Sequence, residues 1–395
     1  MNNKSVFSHS LSLLNGQGDP LADAALADYQ HAQPEIRSLL EQGMRQGVSK
    51  VHAMPESFRQ LLQDSESAVS SIAVAQIDQA MEPYAWIGPS WISIALGPGS
   101  LVHTYSDPGI AAVLMRTGNL LPQTVSRRLL ETQLWKISVI RPGGLAIGGS
   151  GYVHTLQVRM LHARVRATLL QRGWQNEHGN QTMPIDQLQM LRTWLDFTVV
   201  PIEALHRIGF GLAENQRLEL YAAWRLIGQL LGISPALLST VTDHDKAQEL
   251  LSIVDSQLQK PDQNSRVLTQ AMLNAIGNRL APVLGLPTDI SVLLMSSYCR
   301  LFHGDDLADR LGIEANWTAS LIPMISDANR YRFIRIAEEP DYRAAIVLQS
   351  QNAYHQIESN LTDATAYQSM SASLATAQLP TVDDGNQREH QGNFD

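Results

Sequence analysis

Residues 152–170, YVHTLQVRMLHARVRATLL, run for nineteen positions without glycine or proline, directly behind RPGGLAIGGSG (141–151), which has five glycines in eleven. The glycine-rich stretch disfavours a helix and the run after it favours one, so the chain must turn sharply and then hold a long helix. On that helix Arg159, His162 and Arg166 recur at i, i+3 and i+7 and share a face with Val158, Val165 and Leu169. An imidazole and two guanidinium groups therefore point towards apolar company. Bare burial of such groups is costly, so they need partners. A haem would supply them, its iron taking the histidine nitrogen and its propionates the cations. Carboxylates elsewhere in the chain would serve the arginines equally well, and so would snorkelling to solvent. Spacing alone leaves all three readings open.

The 395 residues suffice for a substantial core, as one large domain or two smaller ones, and a 44% hydrophobic content fits a globular chain. A net charge of -9 argues against a general nucleic-acid or anionic-membrane surface. The single cysteine, Cys299, excludes an internal disulfide, a thiolate cluster and a CxxCH attachment, so any haem must be held non-covalently. The glycine-rich stretch is no phosphate loop, because no GK[ST] closes it and no strand precedes it. No stretch approaches 18 apolar residues, and the N-terminus has neither a basic region before an apolar run nor a twin arginine. The expectation is an intracellular, cytoplasmic protein without a transmembrane segment, with secretion open if a presequence is missing from the sequence.

Helical periodicity recurs along the chain, and no alternating pattern repeats at the spacing of strands. One helix is predicted over 68–81. A second is predicted over Ile110 to Arg116, with Asp107 as its cap and Pro108 in its first turn. A third spans 124–138, where Arg128 and Thr132 lie i, i+4 and share a face with Trp135. Pro201 is expected to break or kink the helical run of 185–210, and Pro282 to close that of 267–280. Trp194, Phe197 and Val200 are candidate pocket-lining residues, and His206 is either a distal histidine or a solvent-reaching one. The run Asp243, His244, Asp245 reads as a solvated cap, since adjacent residues on a helix cannot converge on a metal. His303, Asp305 and Asp306 read as capping and surface pairing. Residues 370–395 are polar enough to be disordered.

Two long segments carry a family resemblance: YSDPGIAAVLMRTGNL (105–120) and ETQLWKISVIRPGGLAIGGSGYVHTLQVRMLHARVR (131–166), with WRLIGQLLGI (224–233) adding a third. Together they resemble the catalytic domain of the latex-clearing-protein and mpaB-type oxygenases over residues 95–345. The resemblance implies an all-α helical bundle with a globin-like haem-binding core. It implies a b-type haem whose iron is ligated proximally by His162, with Arg159 and Arg166 about the haem and its propionates and Arg128 and Thr132 in the same neighbourhood. It implies a dioxygenase that uses dioxygen to oxidise or cleave a C=C bond of a hydrophobic alkene or isoprenoid, poly(cis-1,4-isoprene) included.

The chain also departs from the rubber-cleaving pattern. Glu131 stands where those proteins carry a lysine before the threonine, and an ungapped count puts Ala112 at the position of their proposed glutamate base. Glu131 cannot act as a cation, but it can accept a proton, so Glu131, Thr132 and Arg128 are the catalytic candidates. Two other activities share the same residues: an oxidative step in terpenoid or polyketide metabolism, and non-catalytic haem binding or gas sensing through His162. The expected organisation is a helical extension over 1–94, the catalytic domain over 95–345 and a polar tail over 346–395.

Overall fold

The structure, a computed structural model, describes residues 16–117, 125–176 and 180–359, and for 125–128 the backbone alone. Among the described residues there is no strand, so the architecture is an all-α bundle. Its helices are α1 (Pro20–His31), α2 (Pro34–Gln46), α3 (Glu56–Ser70), α4 (Val74–Ile87), α5 (Pro89–Ile94), α6 (Val102–Tyr105), α7 (Pro108–Arg116) and α8 (Val125–Ile140). They are followed by α9 (Ser150–Gln171), α10 (Gln187–Arg207), α11 (Glu214–Leu230), α12 (Pro235–Leu238), α13 (His244–Asp255), α14 (Gln263–Leu284), α15 (Thr288–Arg310), α16 (Ile322–Glu338) and α17 (Pro340–Ser359). A π-helical segment, Ala95–Leu101, joins α5 to α6. One hydrophobic core reaches from Ala22 to Ile322, and α1 packs on α9, which is paired with α8.

Local chemistry accounts for several boundaries. Asp107 caps α7, accepting from the backbone N–H groups of Gly109 and Ile110, and Pro108 occupies the first turn as its fixed φ favours. The single helix predicted over 68–81 is two helices, α3 and α4. The hydroxyl of Ser71 bonds to the carbonyl of Ala68 at 2.6 Å and ends α3, which periodicity alone does not register. Pro201 and Pro282 lie inside α10 and α14, and α14 continues to Gly285 in the left-handed region. The connection at 141–149 turns the chain as its glycines require. A Cβ on Gly144 would run into the carbonyl oxygen of Ser138, so a side chain there would push the connection off the end of α8. The predicted disorder of 370–395 lies outside the described residues. Among the described residues no single helix is long and apolar enough to cross a membrane. The bent pair α14 and α15 passes that test by length and composition together.

Candidate active site

Helices α7, α8, α9, α10 and α11 wall a cavity of about 290 Å3, at the small end of the usual range for ligand pockets, roughly 300–1,000 Å3. Its surface is mostly apolar. Trp135, Phe197 and Trp224 form one side, with ring centroids 6.3 to 6.4 Å apart in edge-on and tilted geometries. Hydrogen bonds fix the indoles: Trp135 Nε1 donates to Thr155 Oγ1 at 3.0 Å, Trp194 Nε1 to the Trp224 carbonyl at 2.7 Å, and Trp224 Nε1 to Tyr84 Oη at 3.0 Å. These bonds pin the three indoles in place on the wall.

His162 lies on this wall, half-buried, beside Val158, Leu161 and Val165 of the same helix. Glu131 and Thr132 reach it from α8, Glu131 buried and Thr132 half-buried. Three of the residues singled out in the sequence thus meet at one cavity. The side chain of Arg128 lies outside the described residues. Trp194 and Phe197 line the cavity as expected. Val200 is buried but does not, and His206 is exposed, in keeping with the solvent-reaching alternative.

Arg159 and Arg166 do not line the cavity. At about 100° per residue, they sit roughly 100° round α9 from the centre of the stripe formed by Val158, Leu161, His162 and Val165. There they meet carboxylates. Arg159 grips Asp19 through Nε at 2.7 Å and Nη2 at 3.0 Å and reaches Asp64 through Nη1 at 3.2 Å. Arg166 holds Asp23 through Nε and Nη2 at 3.0 and 2.9 Å and donates to the Ile185 carbonyl at 2.7 Å. Of the three arrangements that their spacing leaves open, the one realised is carboxylate pairing. Burial alone would pull the pKa of Arg159 down; the hydrogen-bonded carboxylate of Asp19 reverses this and holds it above its ordinary value. Gly232, at φ +88°, makes room for the pair, because a Cβ there would overlap Asp19 Oδ2.

A second polar cluster carried little signal in the sequence. His103 on α6 pairs through Nδ1 with Asp196 at 2.7 Å and through Nε2 with Asp255 at 3.2 Å. Arg192 bonds to the same two carboxylates and to the His103 carbonyl. His303 stacks on His103 and bonds through Nε2 to the Pro98 carbonyl at 2.8 Å. The surface reading of His303 is thus corrected, because the kink at Gly304 turns its ring inwards, while Asp305 and Asp306 do form surface pairs with Arg300 and Arg310. Arg192 and Asp196 lie i, i+4 on α10, the one hint available in advance. Asp243 caps α13 as read, but its neighbour His244 is buried between Tyr221 Oη at 2.8 Å and Glu203 at 2.6 Å.

His162 presents one imidazole to a mostly apolar cavity, the donor that a haem iron would take there. Among the described residues no group of three or more His, Cys, Asp or Glu side chains could hold a bare metal ion. Sequence comparison agrees with this chemistry. Residues 86–325 match the profile of the ER-bound oxygenase mpaB/B'/rubber oxygenase catalytic domain, and the chain belongs to that family. A rubber oxygenase of Streptomyces sp. (strain K30) is 21% identical over 282 residues, covering 71% of this chain and 66% of the relative's own length. The solved structure of a latex clearing protein in the closed state superimposes with a TM-score of 0.62 at 18% identity, over 80% of this chain and 83% of that one. At that identity the likeness speaks for the fold.

Proposed function

We propose that the protein is a b-type haem-dependent oxygenase that oxidises or cleaves a C=C bond of a hydrophobic alkene or isoprenoid, within a catalytic part spanning 95–345. The observation that carries this reading is the placement of His162 on the wall of a cavity lined mostly by aromatic and aliphatic side chains, in a chain of the mpaB/rubber oxygenase family. His162 would hold the iron, and a haem bound there would supply dioxygen activation. We extend the proposal to a globin-like core, supported by an imidazole presented to a mostly apolar cavity by one long helix of an all-helical shell.

The remaining steps fall to this chain's own side chains. Trp135, Trp194, Phe197 and Trp224 exclude water and hold an apolar chain by contact. Glu131 offers the only carboxylate among the described residues on the cavity wall, so it accepts and returns protons at its oxygens. Thr132 orients a polar group beside it, and Arg128 precedes it by one turn. Arg159 and Arg166 act through α9: their carboxylate partners fix the rotation of the helix and so the aim of His162. Poly(cis-1,4-isoprene) is one substrate of the right chemistry, and the name of the Streptomyces relative supports including it.

The test is the visible spectrum of protein expressed with haem, beside His162→Ala, followed by oxygen uptake with squalene. The expected result is a Soret band that the variant loses, together with oxygen consumption coupled to squalene conversion. A colourless wild-type protein would remove the haem from the reading. A Soret band without squalene-dependent oxygen uptake would favour haem binding or gas sensing instead.

A further inference from the structure

Thr132 stands in the wall between the large cavity and a smaller one of about 50 Å3, and Leu101, Leu129 and Phe197 border both. Since roughly 10–15 Å3 by a comparable measure admits one water, the smaller space has room for a small polar head group. Two cations line it. Lys136 lies about one turn beyond Thr132 on α8 and is 4% exposed. Its Nζ has no hydrogen-bond partner among the described residues and rests 4.2 Å from the centre of the Tyr84 ring, at a neighbouring space of about 10 Å3 that Lys136 also lines. Arg279 of α14 donates to Gln133 Oε1 and, at 3.4 Å, to Ser93 Oγ. No described carboxylate pairs with Arg279, and none lines this cavity. Arg159 and Arg166, the other cations placed near the site in the sequence reading whose side chains are described, are each paired with aspartates.

We infer that the space bounded by Lys136 and Arg279 is a carboxylate-binding site adjoining the large cavity. A buried ammonium without a hydrogen-bonded counter-ion, lining the same space as a guanidinium held only by neutral groups, gains most from an anion that brings its own acceptors. The guanidinium fork suits the two oxygens of a carboxylate, Lys136 adds a point charge, and the hydroxyls of Ser93 and Thr132 border the same space. A neutral alkene would leave all of these groups as they are. Burial pushes the pKa of Lys136 well below the ordinary ammonium range and lowers that of Arg279, the state that an arriving anion would reverse. The carboxylate has two possible sources. It is either the acid end of a ligand whose apolar chain lies in the large cavity, or a propionate of the haem. The second source rests on the haem reading and the first does not.

The test uses the full chain and two matched pairs of probes. Titration calorimetry compares octanoate with octanol, and Soret titration compares haem with its dimethyl ester. Lys136→Met, Arg279→Gln and the charge-keeping Arg279→Lys are measured beside the wild type. The expected result is a preference of about tenfold or more for the acid form in at least one pair. Lys136→Met and Arg279→Gln should lose that preference, and Arg279→Lys should keep most of it. A preference in the octanoate pair assigns the site to a ligand acid even in a protein that takes no haem, while a preference confined to the haem pair assigns it to a propionate. Lys136→Met removes an unpaired buried amine and should melt no lower than the wild type, so lost binding in that variant is not lost folding. Equal binding within both pairs, or a preference that survives Lys136→Met, overturns the inference.

Discussion

Asp19 serves two structures at once. One oxygen caps the first turn of α1 through the N–H of Ala22, and both oxygens hold Arg159, with the two side chains only 3% and 4% exposed. Removing one member of so buried a pair strands the other charge, a loss of about 3–5 kcal/mol. Asp64 still reaches Arg159, so the lower end applies. Asp19→Ala should therefore destabilise the protein by about 3 kcal/mol in urea unfolding; a change under about 0.5 kcal/mol, the size of an ordinary surface substitution, would show that the pair carries little. The partnership was not legible in sequence, because Asp19 and Arg159 are 140 positions apart and nothing local to either marks the other. What could be read was that two arginines on an apolar helix face require counter-charges. Which counter-charges depends on tertiary packing.

Among the elements, α6, α10, α13 and α15 are joined through His103 and His303, and the two rings titrate in opposite senses. Burial alone would lower the pKa of His103, but the carboxylates of Asp196 and Asp255 overrule it and raise it to about 9. Burial lowers that of His303 to about 3, with the neighbouring charge of His103 adding to the effect. A raised histidine contributes stability that is complete below the unfolded value near 6.5 and is lost as pH climbs through 9. A depressed one loses stability as pH falls from 6.5 towards 3, because the unfolded chain takes the proton that the fold refuses. Chemical denaturation across pH should show this pair's contribution greatest near pH 6.5, with a decline on the order of 3 kcal/mol on the alkaline side. His103→Gln should flatten that alkaline limb, and an unchanged limb in the variant would refute the assignment. At this scale the sequence was legible where capping chemistry is local, as at Asp107 and Asp243. It misled where a side chain ends a helix in mid-pattern, as at Ser71, or where the helix runs on past a proline, as at Pro282.

For the molecule as a whole, the all-helical class followed from periodicity, and the cavity residues His162, Glu131 and Thr132 were found because they sit in long family segments. The small cation-lined space was not, since Lys136 and Arg279 come from helices 143 positions apart and look in sequence like ordinary charged residues of amphipathic helices. Asp19 and Asp23 tie α1 to the helix that carries His162, and this has a consequence for the order of assembly. If that clasp sets the aim of His162, loading of a haem should report completion of the fold and cannot seed it. In refolding with haem present, far-ultraviolet helical signal should recover before the Soret band appears, and Asp19→Ala should lengthen the interval between them. Simultaneous recovery in both proteins would mean that the imidazole finds its orientation without that distant clasp.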